Sequence, residues 1–274
     1  MKISFIKPRP ELAPFVESFW VFESPSGFPA TDASIAAPNG CAKLIIPYEN
    51  SLVSIADGKT GISHEQRLYF VGNMDTSTLI QSSARPTGFI AIEFSPHGAF
   101  PIFGIPMGET FNALWECDGL FAHWSRRVRD VLCNIPDVSR KVAFIQEELI
   151  LLLRKNDKGG RLVQYCVESL RSSGGRQSIK ALEQDTGYSR RYLSLVFRDQ
   201  VGLSPKVLAG IFRFQTFYRK WAEGKSFDLI KEDLYEYYYD QSHFNKEFRK
   251  MTGYSPAKFN SEVVNEFGRR LLHH

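Results

Sequence analysis

Hydrophobic and polar positions change rhythm part-way along the chain. Up to about Cys117 the apolar residues come in short runs, Phe19 to Glu23, Ala42 to Pro47, Leu52 to Ala56, Leu68 to Val71 and Gly88 to Ser95, separated by SPSGFP, PNG, ADGKTG, GNMD and SPHG. Pro, Gly, Asn and Asp supply turn dihedrals, so short runs bounded by them predict strands. Their number and spacing predict an antiparallel β-rich barrel or sandwich. Beyond Leu114 the spacing lengthens to helical steps. Ser139 is placed to cap a helix in which Val142, Ile145, Leu149, Leu152 and Leu153 recur every three or four residues, and NDKGG at 156–160 ends it. A second helix is predicted over Leu162 to Leu170, closed by SSGG at 172–175, and from Ser178 to Phe267 helices follow one another. The predicted class is α+β: a β-rich domain over 1–137, a helical connector over 138–160 and an all-α domain over 161–274.

One spacing repeats. Ser189, Leu193, Phe197-Arg198 and Gly202-x-Ser204-Pro205 are echoed 51 residues later by Asp240, Phe244, Phe248-Arg249 and Gly253-x-Ser255-Pro256. In each copy a capping side chain opens a helix, a Gly ends it, and Ser-Pro starts the next one as N-cap and N1. The copies predict two helix-turn-helix units. In such a unit the second helix packs on the first with one face and offers hydrogen-bond donors to the major groove with the other. Helix Ile179 to Thr186, the turn Gly187-Tyr188 and helix Ser189 to Gln200 meet that demand. Leu193, Val196, Phe197 and Val201 form one stripe and leave Arg190, Arg191, Ser194 and Arg198 on the other. Arginines there suit phosphates or guanine edges, and a helix N-terminus attracts phosphate. The second copy presents Gln241, Ser242, Asn245, Lys246 and Arg249, of which Gln and Asn suit adenine. Pro205 to Glu223 is predicted as one long helix holding the two recognition helices apart by about one turn of DNA.

Charge agrees with this division. Residues 161–274 carry 19 Lys and Arg against 13 Asp and Glu, a surplus of +6, which leaves −2 for residues 1–160. A basic excess confined to one part fits contact with a polyanion there. The four cysteines show no C-x-x-C spacing, so neither a disulfide framework nor a zinc site is expected. No run of about 18 apolar residues and no signal-peptide pattern is present, which places the protein in the cytoplasm with no membrane partner.

The stretch Ser178 to Phe259 resembles the DNA-binding domain of AraC-type transcription regulators. The likeness rests on I-x-x-L-x-x-x-x-G-Y-S-x-x-x-L-x-x-x-F at Ile179 to Phe197, on G-x-S-P at Gly202 to Pro205, and on YYDQSHF followed by KEFRKMTGYSP. The resemblance implies base contacts from Arg191, Ser194 and Leu195 in the first unit and from Gln241, Ser242, Asn245 and Lys246 in the second. Double-stranded DNA is the implied partner, with RNA polymerase if the protein activates. The pattern departs from the family at Glu183 and Asp233, where a small Ala is usual, at Tyr237 in place of the second turn's Gly, and at Glu232. A carboxylate at a tight helix contact is costly if buried, so either the helices stand farther apart or the acids point outward. The spacing of Ile230, Leu234, Tyr237 and Tyr238 suggests a rotated first helix in unit two, and the second unit is expected to be the weaker reader.

Phe70-Val71-Gly72-Asn73, Pro86-Thr87-Gly88-Phe89 and Phe94-Ser95-Pro96-His97-Gly98-Ala99 resemble an uncharacterised, cupin-like domain found upstream of many AraC-type modules. That likeness implies a small-molecule effector or homodimer formation. A metalloenzyme is the rival for this domain, but residues 1–160 hold only His64, His97 and His123, in no short motif. No cofactor and no catalytic residue is expected, and His97 is expected in a turn. Another rival is a ligand-binding or protein-interaction protein on the same fold with weakened DNA binding. Tyr235, Tyr237, Tyr238 and Tyr239 are expected to pack rather than to stack on bases.

Overall fold

The computed structural model describes residues 2–27, 35–56, 59–82, 86–156, 159–222 and 237–262. Among the described residues the first half carries ten strands: β1 (Lys2–Ile6), β2 (Val16–Ser24), β3 (Ile35–Ala36), β4 (Lys43–Glu49), β5 (Leu52–Ala56), β6 (Lys59–Ser63), β7 (Tyr69–Val71), β8 (Thr78–Ser82), β9 (Thr87–Phe94) and β10 (Leu114–Glu116). They form a six-stranded sheet in the order β1-β2-β9-β4-β7-β10 and a four-stranded sheet in the order β3-β8-β5-β6. All the pairings are antiparallel. The two sheets make a sandwich, so between the predicted barrel and sandwich the latter holds.

The larger sheet is covered on both faces, which explains its near-continuous apolar strands. Period-two alternation sends Trp20, Phe22, Phe89 and Ala91 inward to meet Leu52 of the smaller sheet. Phe19, Val21, Leu44, Ile46, Phe70, Ile90, Ile92 and Phe94 point the other way, onto helices. Those helices are α1 (Ala99–Phe103), α3 (Ala122–Cys133) and α4 (Val138–Asn156), with the short α2 (Cys117–Leu120) before α3. Strands β1, β3, β6, β8 and β10 and helices α1 to α3 go beyond the elements predicted, as very short or half-polar strands such as Lys59–Ser63 carry little apolar signal. The cap of α4 is Asp137, whose Oδ1 accepts from the Arg140 amide at 2.7 Å, and not Ser139. On α4, Glu148 is 4% exposed and its carboxylate is held by both terminal nitrogens of Arg127. An unpaired charge at that depth would be far costlier.

Helices α5 (Arg161–Ser172), α6 (Ile179–Thr186), α7 (Arg190–Gln200), α8 (Pro205–Ala222), α9 (Gln241–Thr252) and α10 (Pro256–Glu262) complete the fold. A single core joins them through Val163, Leu170, Leu182, Leu193, Phe197, Phe214, Phe217, Tyr238, Phe244, Phe248 and Phe259. Ile35 of the smaller sheet belongs to that same core. The sandwich and the helices are also tied by polar contacts. Gln215 of α8 donates to the Pro38 carbonyl at 2.6 Å, and Arg171 of α5 pairs with Glu17 of β2 at 2.5 Å.

Candidate functional site

Each recognition helix is placed by the local rules that the repeat suggested. Ser178, Ser189, Ser204, Asp240 and Ser255 each accept from the backbone amide three residues on, so every helix start among them has a side-chain cap. Gly187, Gly202 and Gly253 stand at φ 72°, 80° and 81°, left-handed values that L side chains avoid. Buried Leu193 and Phe197 anchor α7, and buried Phe244, Phe248 and Met251 anchor α9.

The opposite faces are open. Arg190, Arg191, Leu195 and Arg198 are exposed on α7 and Ser194 is half-buried. Gln241, Ser242, Asn245, Lys246 and Arg249 are exposed on α9. The ten predicted residues thus gather on two helix faces. Tyr188 and Tyr192 stack at 4.9 Å beside the first face, both more than 40% exposed, and Leu195 is 65% exposed. The tyrosine pair escaped sequence reasoning, although two aromatics four residues apart across a helix start could have pointed to it.

Glu183 has a definite place. Its Oε1 accepts from the Arg190 amide at 2.6 Å, so the acid bridges α6 to the first turn of α7. It satisfies a donor that the helix itself leaves open and sits at the positive end of the helix. One of the amides with which that N-terminus would attract a phosphate is therefore already taken by a carboxylate. Glu232, Asp233, Ile230, Leu234 and Tyr235 lie outside the described residues, as do the first helix of unit two and the tail from Val263. Tyr237 packs edge-on against Phe217 at 5.5 Å with the Arg176 guanidinium over its ring at 5.2 Å. Tyr238 is buried beside Phe217 and Phe244, and desolvation raises its phenol pKa. Tyr239 breaks the expectation of packing, as it is 92% exposed just before α9.

A cavity of about 530 Å³ lies between the two sheets. Trp20, Ile45, Phe89, Leu52 and Ile80 give it an apolar lining, with Ser54, Thr60, Ser63 and Thr78 on the smaller sheet's side. Lys43 also lines it, yet its ammonium already donates to Asn39 Oδ1 and the Cys41 carbonyl, both at 3.0 Å, and pairs with Glu93 at 3.7 Å. A lysine in the apolar run KLIIP, in register with inward-facing Ile45, was the sequence signal for this cavity. Two chain segments that line the cavity also touch the helices. One is 36–41, where Gly40 stands at φ +79° and a Cβ would come within 2.6 Å of Leu208 on α8. The other is 71–74, at the start of the loop after β7. His97 lies in its turn beside Phe15, and burial lowers its pKa. Among the described residues no group of three or more His, Cys, Asp or Glu could hold a metal.

Residues 182–262 match the family described as a helix-turn-helix domain, and residues 4–116 match a domain of unknown function, DUF6597. No curated protein matches the sequence. Among solved structures, ToxT from Vibrio cholerae is similar at 12% identity, covering 90% of this chain and 100% of that one with a TM-score of 0.51. ToxT from Vibrio cholerae O395 bound to (E)-4-(8-methylnaphthalen-1-yl)but-3-enoic acid is similar at 12% identity, with the same coverage and a TM-score of 0.50. Residues 182–262, which hold both copies of the repeat's recognition helix, are therefore similar to that helix-turn-helix family. Over the part of the chain that the comparison covers, the two-part fold is similar to that of ToxT. Among the described residues no helix is long and apolar enough to cross a membrane.

Proposed function

We propose that the protein is a sequence-specific DNA-binding transcription regulator whose β-rich domain holds a small-molecule effector. The carrying observation is the pair of capped helices, each anchored by buried residues and each presenting mainly donors, amides and hydroxyls on its open face, with Leu195 and Asp199 of α7 as exceptions. Arg191 and Lys246 lead the two faces, with Arg190 and Arg198, and Arg249 in the second unit, as phosphate contacts. Residues 1–137 serve as sensor, 138–160 as connector and 161–274 as reader.

The effector suited to the cavity is a mostly apolar molecule with a few hydroxyl-bonding groups. Its apolar walls and the row of Ser and Thr side chains favour that chemistry. Because the donors of Lys43 are engaged, an acidic effector must displace Asn39 or Glu93. That ToxT holds an apolar acid is in keeping with a cavity of this kind.

A second reading, the same fold with lost DNA binding, is favoured by one observation: Glu183 on the first amide of α7. Affinity for the DNA upstream of the protein's own gene, measured at two salt concentrations, separates the two. Phosphate neutralisation by roughly six to ten cations would make log K fall with a slope of several units against log salt. No detectable binding at low salt would overturn the regulator.

A further inference from the structure

The loop after β7 alternates its side chains between two jobs. Gly72 and Met74 line the cavity, whereas Asn73 and Asp75 turn outward onto the recognition helices. Asn73 is 3% exposed and its amide donates to the Val201 carbonyl, the C-cap of α7, at 2.6 Å. Asp75, with 13% of its side chain exposed, pairs with Lys250 of α9 at 2.5 Å. Asn112 fixes the arrangement: its Nδ2 donates to Asp75 Oδ1 at 2.9 Å, and its Oδ1 accepts from the Asp75 amide at 3.1 Å. Gly72 lies close against the chain at Thr110, where an added Cβ would come 1.8 Å from the carbonyl oxygen. One short segment therefore touches the cavity, the end of the first recognition helix and the flank of the second.

We propose that residues 72–75 with Asn112 form an autoinhibitory clasp, in which Asp75 withholds Lys250 from DNA phosphates and Asn73 holds the end of α7 against the sandwich. The clasp rests on the DNA-binding function proposed above and adds to it the regulation of the same surface. Its chemistry is electrostatic. Lys250 follows Arg249 on α9 and is half exposed, so once released it can neutralise one more phosphate. Asp75, placed on the reading domain by the pair, also adds an anion where DNA must approach. A partly exposed ion pair is weak enough to open and close under thermal motion, which a switch requires. The cavity touches the clasp from inside at Gly72 and Met74, so an occupant there contacts the segment that holds both helices.

The test uses the full chain and a fluorescent duplex carrying the upstream region. Asp75→Asn keeps the hydrogen-bonding shape and removes the charge. It is expected to raise affinity severalfold and to steepen the log-log salt slope by about one unit, the signature of one more phosphate contact. Lys250→Ala placed on Asp75→Asn is expected to cancel the gain, and to cost more there than in the native chain, a coupling that only a shared interaction produces. Asn73→Ala, which leaves charge untouched, is expected to raise amide hydrogen exchange over the end of α7, confirming release without reference to DNA. An unchanged affinity and slope in Asp75→Asn, with the native chain binding DNA normally, overturns the clasp alone. Absence of binding by the native chain and by every variant overturns the regulator, and the clasp with it.

Discussion

The two recognition helices were written on one template and finished differently. Helix α7 is closed at its start by a carboxylate from its own unit, Glu183 on the Arg190 amide, and is anchored by Leu193 and Phe197. Helix α9 starts with Asp240 accepting from the His243 amide at 2.7 Å, and it is anchored in a web of rings. There Phe248 meets Phe214, Phe244 and Phe259 with centroids 5.5 to 5.6 Å apart, whereas Phe197, its counterpart, has no ring partner among the described residues. The template therefore fixes where each helix begins and ends, and the surroundings decide how firmly and at what charge it is offered to DNA.

The largest effect should come from the ring web. Phe248→Ala is expected to cost about 3–5 kcal/mol of stability. The milder Phe248→Leu should cost more than Phe197→Leu by about 1 kcal/mol, since aromatic pairs contribute roughly 0.5–1.5 kcal/mol beyond their area. Denaturant unfolding of the two leucine variants measures the gap, and equal losses would mean that the two anchors are energetically alike.

Next in size is the contrast between readers. Arg191→Ala is expected to weaken binding to a cognate site by about 1–3 kcal/mol and to relax base preference at one position. Lys246→Ala is expected to cost less and mainly to shallow the salt slope. Equal losses in a titration would end the view of the second unit as the weaker reader.

The legibility of the molecule follows the same divide. Caps and stops were written in single residues, Ser189, Asp240, Gly202 and Gly253, because a cap is chemistry between neighbours in sequence. The open faces of the two helices were legible for the same reason, as helical spacing puts Arg191 and Lys246 opposite Leu193 and Phe244, whereas Leu195 entered only with the family resemblance. Glu183 was legible only as an anomaly, since its partner is seven residues away across a turn. The cavity left only Lys43 in its apolar run as a local sign, and the loop that borders it was beyond local pattern altogether. Asn73 reaches Val201 across 128 positions and Asp75 reaches Lys250 across 175. Strand β6, Lys59–Ser63, was hidden because Thr60 and Ser63 line a cavity rather than a packed core.

A smaller effect would sharpen the difference at the helix starts. Glu183→Gln keeps an oxygen for the Arg190 amide and removes the charge. Stability should change little, while DNA affinity should rise by up to about 1 kcal/mol, the range of a charge at a helix end. A fall in affinity would show that the carboxylate helps to pose Arg190 or Arg191.

The smallest effect concerns the joint that both units share. Burial lowers the pKa of His97, which faces Glu17 from β2 together with Glu168 and Arg171 from α5. The folded protein therefore binds this proton less readily than the unfolded chain does, and stability should be complete above the ordinary 6.5 and decline as pH falls below it. His97→Phe should flatten that decline in thermal melts between pH 5 and 7. A decline that persists unaltered would assign it to another group.

The two-faced loop after β7 carries a thermodynamic obligation. In the function proposed above, its inward residues Gly72 and Met74 belong to the effector's surroundings and its outward ones, Asn73 and Asp75, to the reader's, so any free energy that links them must act in both directions. Whatever factor an effector imposes on the affinity for DNA, the operator imposes on the affinity for the effector. Bound and unbound copies of the protein would then answer to different effector concentrations, and the dose at which a gene responds would depend on how many operators share the regulator.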